Sequence, residues 1–299
     1  MSENALTIRG LEKKFPRFTL GPLDLTVPKG AIYGFIGPNG AGKSTTIDLV
    51  MGMGKNDAGT IEVLGFDHAR DEVAVKSRVG YVSPDLSFAA WGRVGRAIGF
   101  VRSFYPDWDD AYCEDLLKRF NLNLNDSIGT LSFGSRTKLN LVIALAHRPT
   151  LLLLDEPLSG LDPVSKREVF AELLDAVQDE NRTVFISSHN LDELERFCDH
   201  VGVIQNGKLL LEGPTAELVE RFKMVDCVAA NGARPHEVGG VWVQKLEGSR
   251  WRLLLDTQSN AEVHLMASGV TVDATAPVTL EELFVALMKE NVNTRNANL

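Results

Sequence analysis

The stretch GPNGAGKST, Gly37 to Thr45, constrains the fold of this 299-residue chain more than any other. Gly37, Gly42, Lys43 and Ser44 meet the spacing G-x-x-x-x-G-K-[ST]. The apolar run AIYGFIG precedes the loop, and STTIDLVMGM, of helical length, follows it. Glycines in such a loop let backbone N–H groups turn inward, and the helix behind it adds unsatisfied donors and a positive dipole end. That is a cradle for a polyphosphate. In it Lys43 would reach between the β- and γ-phosphates, and the Ser44 hydroxyl would join a Mg²⁺ shell. A buried strand feeding a helix through a ligand loop implies an α/β sheet with its strand ends gathered at one edge.

The rest of the chain keeps this rhythm. ALTIRG and FTLGPLDLTV read as short alternating strands broken by Pro16 and Gly21, and TIEVLG and RVGYVSP as further strands. Between about Pro84 and Gly134 the pattern turns helical, with VGRAIGFVRSF and DDAYCEDLLKRFNL separated at Pro106. A helix is expected from about Gly134 to His147. TLLLLD is then a strand, and DPVSKREVFAELLDAV a helix with Asp162 as N-cap and Pro163 in its first turn. TVFISS is a strand, LDELERFC a short helix, and HVGVIQNGKLLLEG a hairpin turning at Asn206-Gly207. After about Lys223 the character changes. VDCVAANGA, GVWVQKLEG and SRWRLLLD alternate like a small antiparallel sheet, and TLEELFVALMKE forms a last helix with Thr279 and Glu282 as a capping box. The expected division is a nucleotide-binding domain over 1–223 and a small strand-rich domain over 224–299.

Two carboxylates, Asp155 and Glu156, end the leucine strand at the sheet edge where ligands bind. Asp155 suits a hold on Mg²⁺, and Glu156 suits polarising an attacking water. Taken alone they could simply face solvent; beside a phosphate loop they read as catalytic. His189 follows the buried strand TVFISS, so it reaches the same edge.

Composition narrows the partners. The net charge of −9 and the absence of a basic tract argue against a nucleic-acid partner. Cys113, Cys198 and Cys227 are widely spaced, form no metal-ligand cluster and fit a reducing compartment. MSENALTIRG lacks the basic start and apolar run of a signal peptide, and no apolar run approaches the ~20 residues of a membrane span.

Together these residues resemble the ATP-binding cassette (ABC) ATPases. GPNGAGKST is similar to that family's phosphate loop, LLLLDEP to its Mg²⁺ and catalytic strand, SGLD to its D-loop, SSH to its switch histidine and LSFGSRTK to its signature. The resemblance covers Met1 to about Phe222. It implies a P-loop NTPase core of the ABC type, an inserted all-helical subdomain, and a small α+β C-terminal domain. It implies ATP and Mg²⁺ as ligands, held by Gly37, Asn39, Gly40, Gly42, Lys43, Ser44 and Thr45, with Asp155 and Ser44 on the metal. Glu156 is implied as the catalytic carboxylate and His189 as a γ-phosphate sensor. Phe15 falls where the family stacks an aromatic on adenine; edge-strand packing is an equal reading, and Phe18 competes for the role. The family implies a head-to-tail dimer in which Ser132 and Gly134 of one subunit meet the γ-phosphate held by the other.

Two departures stand out. Phe133 replaces a signature glycine and Ser135 a glutamine. Pro84 of GYVSPD takes the position of a glutamine that usually touches Mg²⁺ and the attacking water; proline has no side-chain oxygen, so Ser83 or Asp85 would have to substitute. FYPDWD and the strand-rich tail resemble bacterial exporters whose membrane half is a separate polypeptide. The expected partners are therefore a membrane-spanning permease and a second cassette, identical or sister. The expected place is cytoplasmic, peripheral on the inner face of the membrane. Phe88, Trp91, Phe104, Tyr105 and Trp108 crowd the insertion, and the exposed ones would suit a groove for a permease helix. The alternatives are a binding-only regulatory cassette, or a soluble cassette ATPase acting on ribosomes or DNA.

Overall fold

Alternation builds the first sheet. In Phe18–Pro28 (β2) Leu20, Leu23, Leu25 and Val27 are buried while Thr19, Asp24 and Thr26 face out; β2 pairs antiparallel with Asn4–Phe15 (β1). Pro16 does sit in the turn between them, but Gly21 does not break β2. A register shift between Leu11 and Lys13 of β1 takes up the irregularity opposite Gly21, whose φ of +94° costs glycine little. The computed structural model describes residues 3–180, 182–191, 194–195, 197–229, 235 and 238–296. The chain divides into two compact units, Met1–Asn190 with Phe197–Glu212, and Leu191–Arg196 with Gly213–Leu299.

The first unit continues with Ile32–Ile36 (β3), buried at every position, and Lys43–Val50 (α1). Ala58–Val63 (β4) joins β1 antiparallel, and Phe66–Asp67 (β5) completes a four-stranded sheet in the order β2-β1-β4-β5. After the short Glu72–Lys76 (α2) comes Val79–Val82 (β6). The insertion is helical as expected: a 3₁₀ turn at Ala89–Trp91, then Val94–Arg102 (α3) and Asp110–Arg119 (α4). Asp109 caps α4 by accepting the Tyr112 N–H at 2.9 Å. Phe133–Leu145 (α5) leads back to Leu151–Asp155 (β7). Asp162 accepts from the N–H groups of Val164 and Ser165 at 2.9 and 3.0 Å, starting Pro163–Glu180 (α6) where its sequence placed it.

Thr183–Ser188 (β8), His200–Gln205 (β9) and Lys208–Pro214 (β10) complete a six-stranded sheet in the order β10-β9-β3-β8-β7-β6. Asn206 and Gly207 turn the β9–β10 hairpin with φ of +50° and +77°. Strands β9, β3, β8, β7 and β6 run parallel, so β3, β7 and β8 end at one edge. That edge carries the loop, the carboxylates and the histidine. Tyr33 and Phe185 stack at 5.4 Å beneath it, both fully buried. The short helix expected over LDELERFC lies partly outside the described residues.

The second unit holds Thr215–Arg221 (α7), Phe222–Ala229 (β11), Val241–Glu247 (β12), Arg250–Asp256 (β13), Ala261–Ala267 (α8), Val270–Pro277 (β14) and Leu280–Asn296 (α9). Its antiparallel sheet, β12-β13-β11-β14, packs a small core of Val225, Leu253, Leu255 and Leu265. The end of VDCVAANGA falls outside the described residues. Thr279 and Glu282 form the expected capping box: the Glu282 N–H donates to Thr279 Oγ1 and the Thr279 N–H to Glu282 Oε2, each at 3.1 Å. Helix α8 and strand β14 were not foreseen, because AEVHLMA and TVDATAP carry too short an apolar pattern to read alone.

Candidate active site

The loop leaves β3 and wraps the start of α1. A Cβ on Gly42, at φ +114°, would lie 2.8 Å from Leu20 Cδ1 and 3.1 Å from Phe18 Cζ, so only glycine lets the loop close under the β1–β2 hairpin. Gly42 also gives α1 an N-terminus with no side-chain cap and no acidic residue in its first turn. Its donors are left for an anion. Lys43, almost fully buried, donates to the carbonyl oxygens of Gly37 at 2.7 Å and Pro38 at 3.3 Å, and sits 3.1 Å from Glu156 Oε1. A cleft of about 510 Å³ opens beside it, lined by Arg17, Phe18, Asn39, Gly40, Gly42, Lys43, Ser44, Thr45 and Glu156.

The carboxylates are fixed by one hydroxyl. Ser187 on β8 lies opposite Asp155 on β7; its Oγ donates to Asp155 Oδ1 at 2.6 Å and accepts the Glu156 N–H at 3.0 Å. Glu156 holds a left-handed backbone, φ +47°, which costs a non-glycine residue about 1 kcal/mol and turns its side chain off the strand line. The carboxylate then bridges two side chains, with the Lys43 ammonium on Oε1 and His189 Nδ1 at 2.7 Å from Oε2. Asp48, half-buried on α1, takes the Tyr81 hydroxyl at 3.4 Å. Burial, and then the charge of Asp155, push its carboxyl above the ordinary range.

A second cleft of about 110 Å³ joins Ser83, Pro84, Phe133, Arg136 and Asn140 to Asp155 and Glu156. Ser83 is buried there, while Asp85 is exposed and does not line it. Ser83 is therefore the side-chain oxygen that this segment brings to the carboxylates. Phe133, half exposed, lies against the D-loop: a Cβ on Gly160 would be 3.2 Å from its ring.

The structure thus gathers Asn39, Gly40, Lys43, Ser44, Thr45, Asp155, Glu156 and His189 at one sheet edge. Phe15 does not line the loop cleft; it is 44% exposed, 6.2 Å from Phe18, with the Lys13 ammonium 5.9 Å above its ring. Ser132 and Gly134 do not line it either. The Ser132 hydroxyl caps α5 through the Ser135 N–H at 3.1 Å, and a Cβ on Gly134 would meet Ser165 Oγ at 3.3 Å. Sequence reasoning missed Ser187, Asp48 and Arg17. The signal for Ser187 lies in SSH, two residues before His189.

The donor set fits the implied ligands. Lys43 is neutralised by protein oxygens that phosphate oxygens can replace, and Ser44 and Asp155 offer the hard oxygens that Mg²⁺ prefers. Glu156 Oε1 is buried against the Lys43 ammonium at 3.1 Å and accepts no hydrogen bond, so its accepting capacity is unspent once Lys43 turns to a phosphate.

Comparison with known proteins gives the family. A family profile described as ABC transporter matches residues 20–159. The Nod factor export ATP-binding protein I of Rhizobium sp. (strain N33) is 31% identical over 96% of this chain and 98% of its own length. The bacitracin transport ATP-binding protein BcrA of Bacillus licheniformis is 35% identical over 67% of this chain and 66% of its own. Among solved structures, cbiO1 from Clostridium perfringens, part of the cbiONQ transporter complex, superposes with a TM-score of 0.62 at 25% identity, over 73% of this chain and 91% of that one. With these matches, and with the glycine loop, Asp155, Glu156 and His189 at one sheet edge, the chain belongs to the ABC transporter family as an ATP-binding and ATP-hydrolysing subunit.

Proposed function

We propose that this subunit drives a separate membrane-spanning permease that exports its cargo, by closing head to tail on a second cassette around Mg-ATP. The observation that carries the reading is the bridge Lys43–Glu156–His189 at the mouth of the phosphate loop. Engaged by the Lys43 ammonium on one oxygen and by His189 on the other, Glu156 is held away from acting as a base. Phosphate oxygens arriving at the loop draw Lys43 off Glu156, leaving that carboxylate to orient a water while His189 turns to the terminal phosphate. Bound Mg²⁺ would neutralise charge on the β- and γ-phosphate oxygens, with Ser44 and Asp155 its holders. Ser132 and Gly134, at the start of α5, belong in this reading to the other subunit's nucleotide, and Phe15, with Phe18 beside it, to the base.

Export is supported by relatives named for Nod factor export and bacitracin transport. A separate permease is supported by the solved relative cbiO1, which is part of the cbiONQ transporter complex; no helix among the described residues here is long and apolar enough to cross a membrane. The permease contact is assigned to the insertion. There Trp91 stacks on Phe100 at 3.9 Å and Phe100 meets Phe104 edge-on at 5.1 Å, with Phe100 and Phe104 both exposed. Tyr105 and Trp108 are excluded from that face, since Tyr105 stacks on the buried His147 at 3.9 Å and the Trp108 indole nitrogen is buried.

The test is Glu156→Gln, which keeps shape and removes the charge. The variant should bind ATP, fail to turn it over, and run as a dimer on gel filtration with Mg-ATP. A variant that stays monomeric and hydrolyses at the parental rate would remove Glu156 from the mechanism and closure from the function.

A further inference from the structure

The tip of the β1–β2 hairpin carries a cation that the loop motif does not include. Phe15 and Phe18 pair across the hairpin, so the turn between them is only Pro16-Arg17. Phe18 anchors that turn: its ring packs on the core of the first unit and lies 3.1 Å from where a Cβ on Gly42 would stand. Proline in the turn limits its conformations further. Arg17 is therefore presented at a fixed place, and it lines the same cleft as Asn39, Gly40 and Thr45.

The charges around that cleft are unequal in their commitments. Lys43 is engaged by Gly37 and Pro38 carbonyls and by Glu156, and Glu156 by Lys43 and His189. Arg17 is exposed and, among the described residues, forms no ion pair. It is the cation of this cleft whose charge no protein group neutralises. A planar guanidinium with paired donors is matched to phosphate oxygens.

We propose that Arg17 is a nucleotide-binding residue that contacts the polyphosphate from the hairpin side, opposite Lys43. This rests on the nucleotide reading of the loop and adds a residue to it. In consequence part of the affinity for ATP and ADP is electrostatic and falls with salt.

The experiment measures binding of fluorescently labelled ADP and ATP to the full chain, with inorganic tripolyphosphate and adenosine as competitors. Arg17→Ala should weaken ADP, ATP and tripolyphosphate about tenfold, the scale of one charge-assisted contact, and flatten the salt dependence. Adenosine competition should be unmoved, Arg17→Lys should restore part of the loss, and the loss should appear in the KM for ATP. The melting temperature should stay parental, because Arg17 is exposed and is not part of the core. Unchanged tripolyphosphate and nucleotide affinity would overturn the proposal. So would a loss confined to adenosine, which would make Arg17 a base contact. Lys43→Ala is the separate control: if it keeps parental ATP affinity, the loop reading itself fails, whatever Arg17 does.

Discussion

Ser187 shows how much of this site rests on one side chain. Its hydroxyl is fully buried, donates to Asp155 and accepts from the backbone of Glu156, so it positions both the carboxylate proposed to hold Mg²⁺ and the one proposed to orient water. Removing it leaves a buried carboxylate short of a donor and frees a backbone already at φ +47°. Ser187→Ala should lower stability by about 1–3 kcal/mol. It should also lower kcat by roughly ten- to a hundredfold through misplacement of Glu156. Chemical denaturation and ATPase kinetics on one variant read both, and Ser187→Thr, which keeps the hydroxyl, should recover part of the rate. An alanine variant with parental kcat would mean that Asp155 and Glu156 are positioned without it. At the same scale, Pro84 brings no side-chain oxygen to the second cleft, and the buried Ser83 is the group there to be tested.

The helical insertion separates two kinds of aromatic that the sequence listed together. Phe104 is 64% exposed and touches Phe100 only by its edge, whereas Tyr105 stacks on His147 inside the fold. Burial lowers the His147 pKa, which keeps the imidazole neutral beneath that ring. Phe104→Glu should therefore leave the melting temperature near parental and reduce permease capture at least tenfold, because an aromatic anchor at an interface is often worth about 2 kcal/mol. Tyr105→Glu should instead lower the melting temperature and impair nucleotide binding as well. Undiminished capture by Phe104→Glu would take this face out of the interface. A second element-scale contact is Phe133 on the D-loop. Gly160 sits at φ +74°, where an L side chain is strained, and a Cβ there would stand 3.2 Å from that ring, so Gly160→Ala should cost about 1 kcal/mol in thermal or urea unfolding. A neutral effect would show that the ring is free to leave.

At the scale of the whole molecule, the second unit has its own core and its own electrostatic pin. Arg221 holds Asp256 with two bonds, Nε to Oδ1 at 2.9 Å and Nη2 to Oδ2 at 2.7 Å, and the Gln258 N–H adds a third at 3.0 Å. The Arg221 bonds, foremost, hold the Asp256 carboxyl below the ordinary carboxylate range. A depressed folded-state pKa means that this stability is fully present above the unfolded-state value, near 4, and is lost as pH falls through the folded-state value. Asp256→Asn should therefore destabilise the unit by about 2 kcal/mol at neutral pH, and the gap to the parent should narrow below about pH 4. Hydrogen exchange of β11 and β13 against pH measures it. A gap that does not depend on pH would mean that the carboxyl's charge is not what the pin uses.

What the sequence determined by itself is local and chemical. The loop GPNGAGKST, the leucine strand ending in Asp155 and Glu156, the Asn206-Gly207 turn, and the caps at Asp162 and Thr279 each follow from residues within a few positions of one another. Short-range sterics and hydrogen bonding are enough to specify them. What only the tertiary structure decided depends on residues far apart in the chain. The pairing of β7 with β8 makes Ser187 the holder of both carboxylates, and packing of Phe18 on Gly42 puts Arg17 in the cleft. Burial, and not residue type, separates Ser83 from Asp85 and Tyr105 from Phe104. The second unit's α8 and β14 depend on the assembled sheet: β14 pairs along the edge of β11, and α8 gives Ala261 and Leu265 to the core with Leu253 and Leu255 of β13. Burial is a property of the assembled chain, and a single sequence records it only where apolar periodicity is strong enough to show which face will be covered.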